Sequence, residues 1–252
     1  MTSLGEPPLV VGTIGIHGLA ALARQSARDR VVDIVEARFD LAPAAFLPSS
    51  LPSVLEACGR IEETGTPVLG TIRLVADGGR WTEDGPRLAL FEQALEVMSW
   101  VDVELESAIA GEVVARAHAR DRRVIVSHHD FTGTPEVESL GLLAERARAL
   151  GADLVKIATS VDSLEAHDRL VGFLRTQRVP PGPGAGGPLA LIGMGSVGTP
   201  LRTYLPSVGS RLTYGFLDAV AAPGQLHAHE LVRRLIADCP TYAAHRRRTG
   251  LL

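Results

Sequence analysis

Residues 123–158 read RVIVSHHDFTGTPEVESLGLLAERARALGADLVKIA. Arg123–His128 is a short β-branched run of strand length. Pro135–Leu150 is rich in Leu, Ala, Glu and Arg, with apolar residues every three or four positions, the spacing of a helix with one buried face. Leu154–Ala158 is a second short apolar run. Strand, helix, strand in that order is the unit from which parallel sheets are built, because two parallel strands need a long crossover between them.

The same alternation extends outward in both directions. Candidate strands fall at Leu9–Ile14, Val31–Arg38, Pro67–Arg73, Trp100–Leu105, Leu189–Met194 and Arg211–Gly215, and helical segments such as Ala110–Arg120 lie between them. With the quoted pair this makes eight strands in 252 residues, close to the ~250 that an eight-unit barrel occupies. The expectation is an α/β protein, a (β/α)8 TIM barrel forming a single domain over residues 1–252. An open doubly wound sheet is the alternative. Its best support is the run Gly193-Met194-Gly195-Ser196-Val197-Gly198, but this comes late in the chain and lacks a following strand ending in an acidic ribose contact. In a barrel the same loop is a place where backbone amides and a short helix hold an anion. The Pro/Gly-rich stretch Val179–Pro188 reads as a surface insertion on the opposite side of the barrel.

A net charge of −4 and 4% aromatic residues leave no basic stripe with interleaved stacking residues, so nucleic acid is not an expected partner and a small molecule is. Cys58 and Cys239 form neither a CxxC pair nor a metal-ligand spacing. Residues 1–8 carry no positive, apolar leader, and no stretch approaches the ~18 apolar residues of a spanning helix. The expected location is cytoplasmic, with no membrane partner.

The 25 basic residues are 24 arginines and one lysine, Lys156. Arginine fills every generic cation position, so the surviving lysine calls for a task arginine cannot do. An amine can lose its proton and attack a carbonyl; a guanidinium stays charged and is a poor nucleophile. In the quoted unit Lys156 sits among Leu154, Val155, Ile157 and Ala158, where burial and nearby cations such as Arg38 or Arg73 lower an amine pKa. The alternative is a snorkelling lysine at a barrel rim.

Active groups of a barrel collect at the C-terminal strand ends, and polar residues recur there. In Glu36-Ala37-Arg38 the period of two points both charges to one face, able to hold neighbouring hydroxyls of a polyol or to form a structural ion pair. His128-His129 closes strand five, where one imidazole can face inward and move a proton next to an imine; the pattern does not say which. Adjacent histidines with no third ligand at suitable spacing make a metal site an unfavoured reading. Arg202 follows the glycine-rich turn and offers a fork for a carboxylate. Gln225, in Ala222-Pro223-Gly224-Gln225 after strand eight, can donate and accept toward hydroxyls.

These segments together resemble the type I 3-dehydroquinate dehydratase family of the shikimate pathway of aromatic amino acid biosynthesis. The matches, in family order, are Glu36–Asp40, Thr71–Arg73, Ser127–Phe131, Lys156–Ala158, Met194-Gly195 through Arg202, and Ala222–Gln225. The resemblance implies a cofactor-free, metal-free lyase converting 3-dehydroquinate to 3-dehydroshikimate. Lys156 would form a Schiff base with the C3 ketone, and His129 would act as general base and then acid. Arg202 would bind the substrate carboxylate, while Glu36, Arg38, Arg73 and Gln225 contact ring hydroxyls or brace the site. It also leaves a homodimer open. Three positions depart from the family pattern: Ala221 where serine is common, His128 where tyrosine is common, and Asp77 in place of a glutamate that supports the histidine; Asp77 and His128 are the supporting residues the resemblance implies. They bear on rate or substrate preference and on whether the pathway served is biosynthetic, catabolic or specialised. Two other functions fit parts of the pattern: a class I aldolase-like barrel for another keto acid, and a non-catalytic sensor of a quinate-like ligand. The carboxylate clamp without further phosphate donors argues against the first, and a lysine kept in a lysine-poor chain against the second.

Overall fold

The computed structural model describes residues 6–42, 47–177 and 187–252. The expected insertion at Val179–Pro188 therefore lies outside the described residues, except for Gly187 and Pro188, both exposed. Strand β1 (Leu9–Gly15) leads into α1 (Ile16–Leu22) and α2 (Ala27–Arg30), and β2 (Ile34–Arg38) precedes α3 (Leu47–Glu63). There follow β3 (Val68–Thr71) and α4 (Asp84–Leu95), β4 (Trp100–Glu104) and α5 (Ala110–His118), then β5 (Arg123–Asp130) and α6 (Val137–Ala149). Next come β6 (Leu154–Ser160) with α7 (Leu164–Gln177), and β7 (Leu189–Met194) with α8 (Gly195–Gly198) and α9 (Leu201–Ser207). After β8 (Leu212–Phe216), a two-residue β9 (Leu226–His227) precedes α10 (Ala228–Asp238) and α11 (Pro240–Arg248).

The hydrogen-bonded order is β7-β6-β5-β4-β3-β2-β1-β8-β9, and every pair is parallel. The ring closes between β7 and β8, where the Arg211 amide donates to the Leu189 carbonyl at 2.8 Å and the Leu191 amide donates to the Ser210 hydroxyl at 2.9 Å. This is the expected (β/α)8 barrel. The helices cover it for the reason their patterns state. Helix α6 buries Leu140, Ala144 and Ala147, with Glu138 in its first turn and Arg146 and Arg148 in its last, each charge suited to the helix dipole. Helix α10 buries Ala228, Leu231, Val232 and Leu235 at the same helical spacing. Among the described residues no helix is long and apolar enough to cross a membrane.

Alternation along the strands divides the core in two. Val35, Ala37, Val68, Val101, Val103, Val124, Val126, Val155 and Ile157 point outward into the layer shared with the helices. The first inward residues, Val11, Ile34, Leu69, Ile125, Leu154, Ala190 and Leu212, fill the barrel interior with Trp100 packed against them. Each buried Val, Leu or Ile contributes roughly 1.5–3 kcal/mol. Two residues further along, the inward positions turn polar: Thr13, Glu36, Thr71, Asp102, Ser127 and Lys156, all buried. The apolar plug thus closes one end of the barrel and sets a polar layer on top of it.

The main difference from expectation is strand two, which begins at Ile34 rather than Val31. Val31 caps α2 with φ 67°, a left-handed conformation uncommon for a β-branched residue; its apolar run with Val32 imitates a strand start. Strands five and six run on to Asp130 and Ser160, which carries their polar ends into the barrel mouth.

Candidate active site

A cavity of about 100 Å³ opens above the apolar plug, walled by side chains from several strand ends, among them Glu36, Arg73, His129 and Lys156, with Arg202 and Gln225 completing it. Lys156 is the second inward residue of β6 and 6% exposed. Its Nζ lies 3.0 Å from Asp102 Oδ2. Burial lowers the amine pKa below its ordinary value, Asp102 pushes back, and Arg73 adds to the lowering. Asp102 accepts from the Ser127 hydroxyl at 2.6 Å and pairs with Arg73 at 2.8 Å. Burial favours its neutral form, but Arg73 and Lys156 override burial and hold the carboxyl well below the usual range.

Arg73 also reaches Glu104 at 3.2 Å and donates to Ser127 Oγ at 2.7 Å. Glu104 in turn takes the buried guanidinium of Arg87, whose other arm meets Asp84 at 2.6 Å. A chain of paired charges therefore runs from the lysine through the barrel wall to α4. Its members fix one another's rotamers, so the amine is held by a rigid frame rather than a single carboxylate.

His129 faces the same cavity from β5, because Ile125, Ser127 and His129 share the inward parity. Its Nδ1 is 3.2 Å from Asp77 Oδ1. Burial, with Arg73 and Lys156 nearby, pushes the imidazole pKa well below the ordinary value, so the ring is neutral at neutral pH. Burial raises the Asp77 carboxyl to about 6; Glu104 pushes it the same way and Arg73 opposes. Asp77 ends a short 3-10 turn, Val75–Asp77, closed by Gly78 at φ 78°. A Cβ at Gly78 would fall 2.5 Å from Phe131 Cζ, so the turn needs glycine both for conformation and for space.

Arg202, from α9, is 2% exposed. It donates to the carbonyls of Tyr214 at 3.2 Å and Pro223 at 3.0 Å; no carboxylate pairs with it among the described residues, and its Nε has no partner. Unopposed burial lowers its pKa to about 10. Buried arginine without an acid is otherwise seen at Arg30, which is saturated by two threonine hydroxyls and two carbonyls. Arg202 keeps unused donors beside the cavity, the signature of a place for an anion.

The loop after β8 covers the cavity. The Gln225 amide donates to Thr13 Oγ1 at 3.3 Å, and its oxygen accepts from the Ala221 amide at 2.9 Å. Gly224 has φ 71°, and a Cβ there would stand 2.5 Å from the Gly195 carbonyl. The expected glycine-rich turn is thus a docking surface for this loop. Glu36 accepts from Thr13 at 2.8 Å and from Thr71 at 2.9 Å.

Two expectations change in detail. Arg38 does not pair with Glu36; its fork takes both oxygens of Asp40 at 2.8 Å, in the 3-10 turn that follows the strand, and it still lines the cavity. His128, placed beside Asp77 as a supporting residue, points away from the cavity and is half-buried near Glu106, Asp130 and Arg146. Strand parity places it opposite His129, so it cannot brace that ring directly. Asp102, Ser127, Glu104 and Tyr214 were not singled out as site residues. The signal for Asp102 was present, since it shares inward parity with Glu104 at a strand end. Among the described residues no group of three or more His, Cys, Asp or Glu could hold a metal ion.

Fold and site together define a (β/α)8 barrel protein with a lone buried lysine, a neutral histidine and an acid-free arginine around one mouth cavity. A family model for type I 3-dehydroquinase matches residues 17–238, and the chain belongs to that family. It is 30% identical over 241 residues to a 3-dehydroquinate dehydratase of Methanococcoides burtonii, covering 92% of this chain and 95% of that protein. It is 33% identical over 215 residues to a 3-dehydroquinate dehydratase of Methanosarcina mazei, covering 82% and 86%. Among solved structures it resembles the type I 3-dehydroquinate dehydratase of Clostridium difficile with covalently modified comenic acid (TM-score 0.80, 26% identity, 92% of each chain). It also resembles the 3-dehydroquinate dehydratase of Aquifex aeolicus (TM-score 0.76, 26% identity, 91% of this chain and 98% of that one).

Proposed function

We propose that this chain is a cytoplasmic, single-domain hydro-lyase that dehydrates 3-dehydroquinate to 3-dehydroshikimate through an imine on Lys156. The observation that carries the reading is the meeting of the only lysine, His129 and Arg202 on one cavity. Arg202 binds the carboxylate, and Glu36, Arg38 and Gln225 take the ring hydroxyls. The Lys156 amine, its pKa lowered by burial, adds to the C3 ketone; the resulting carbinolamine loses water to give a protonated imine. That cation draws electron density from C2, and His129 removes a C2 proton. The electron pair moves toward C1, and the C1 hydroxyl departs as water with a proton returned by His129. Hydrolysis of the imine frees the enone and the amine.

Mixing the protein with 3-dehydroquinate and borohydride tests this. The expected result is a substrate-dependent mass adduct on the Lys156 peptide, with enone absorbance appearing when borohydride is omitted. Saturable binding without enone would replace the enzyme reading by a sensor.

The pair His129–Asp77 sets a pH limit. Above about pH 6 the Asp77 carboxylate accepts from Nδ1–H and leaves Nε2 as the basic nitrogen. Below it the carboxyl is protonated, donates to Nδ1 and fixes the opposite tautomer. Turnover is therefore expected to fall as pH drops through about 6, and Asp77→Asn to abolish that inflection in a kcat–pH profile. An unchanged inflection in Asp77→Asn assigns it elsewhere.

For Arg202 the expected result is a rise in KM of roughly 10- to 100-fold in Arg202→Ala, the loss of a charge-assisted contact worth ~1.5–3 kcal/mol, with lysine a poor replacement for the fork. Steady-state kinetics showing an unaltered KM would remove it from the carboxylate site.

A further inference from the structure

Besides Asp102, Lys156 lies close to a polarisable group, the ring of Tyr214 from β8. The ring centroid lies 4.6 Å from Nζ, within the range at which a cation is drawn to the negative face of an aromatic. Tyr214 is 6% exposed, belongs to the barrel-interior cluster and also borders the cavity. The Asp102 oxygen that meets Nζ is shared with Arg73 at 2.8 Å, so the carboxylate's charge is divided between two cations. Among the described residues no other cation stacks on the Tyr214 face.

We propose that Tyr214 is a positioning residue that holds the Lys156 nitrogen and stabilises it when it carries the positive charge of the imine. This rests on the imine reading above. The nitrogen is cationic both as ammonium and as protonated imine, and the protonated imine is what acidifies C2. A buried aromatic face favours that cation without the desolvation cost a second buried carboxylate would bring.

The ring and not its hydroxyl carries the effect. The hydroxyl is buried and has no hydrogen-bond partner among the described residues. Burial, with Glu36 and Asp102 nearby, raises its pKa well above the ordinary value, so it stays protonated throughout. A buried hydroxyl without a partner destabilises the fold, whereas phenylalanine keeps the face and omits that cost.

The experiment compares Tyr214→Leu and Tyr214→Phe by kcat, KM and the pH dependence of cyanoborohydride trapping with 3-dehydroquinate. Tyr214→Leu is expected to lower kcat roughly 30-fold with little change in KM. It should also move the trapping midpoint to lower pH, because the ammonium loses a stabilising face. Tyr214→Phe recovers most of the kcat loss and raises Tm. A merely structural gap admits water and moves the midpoint to higher pH, which overturns the proposal, as does a Phe variant no better than Leu. Should the Leu variant not fold, Tyr214→Met supplies a flexible apolar side chain that can refill part of the gap without the face. An unaltered chain that traps normally beside an indistinguishable Leu variant defeats the role of Tyr214 alone; an unaltered chain that forms no adduct defeats the imine reading and this proposal with it.

Discussion

Lys156→Ala is expected to reduce dehydration of 3-dehydroquinate to the uncatalysed background and to leave no borohydride adduct, while the barrel remains folded. The loss is complete because the chain has no second lysine to approach the substrate and none of its arginines can serve as an amine nucleophile. Folding survives because Asp102, the group left behind, keeps Arg73 at 2.8 Å and Ser127 at 2.6 Å; the buried carboxylate loses one partner of three. Lys156→Arg is expected to be equally inactive although it restores the charge, which separates nucleophilicity from electrostatics. Turnover persisting in either variant, measured by enone absorbance, would falsify the covalent route.

His129→Ala has the second largest effect, and its pattern is different. Dehydration falls by roughly 10²–10⁴-fold, the range for a lost general acid–base group, yet the Lys156 adduct still accumulates under borohydride. Nitrogen addition needs the amine and a bound ketone; removal of the C2 proton needs the imidazole. The two variants thus divide the reaction before and after the imine. His128→Ala supplies the control, since its ring lies on the outer side of β5 and little change is expected. If His128→Ala is the inactive one, strand parity at β5 is misassigned.

Parity marks the boundary of what the residues alone could reveal. Each strand was legible as an apolar run, and eight runs with helical segments between them led to the barrel. Barrel strands are apolar on both faces, however, with Ile125 inside and Val124 and Val126 outside, so alternation left no trace by which to phase the two histidines. Val31 illustrates the converse: a β-branched residue outside its strand, held at φ 67° by the helix it caps. Lys156 stood out through composition. Asp102, 54 residues away, was marked only as one polar strand end among several, because its pairing with the lysine comes from an approach that only the closed ring creates. Arg38 and Asp40 show the limit at short range, where the side-chain fork chose the neighbour two residues along over the one on its other side.

The acid-free setting of Arg202 and the raised carboxyl of Asp77 act on the same cavity. The first leaves a cation waiting for a partner; the second leaves a carboxyl that titrates at about 6. Proton uptake by Asp77 removes a negative charge from the cavity as the medium is acidified, so binding of a substrate anion and proton uptake are linked through it.

The placement of the chain's only lysine in a cavity where it is 6% exposed also makes the protein its own reporter. Reductive methylation with isotopically labelled formaldehyde can mark just one side-chain amine, giving a single lysine line in a carbon NMR spectrum. The shift of that line with pH reads the amine's ionisation directly, and its rate of appearance reads how readily a reagent reaches the cavity.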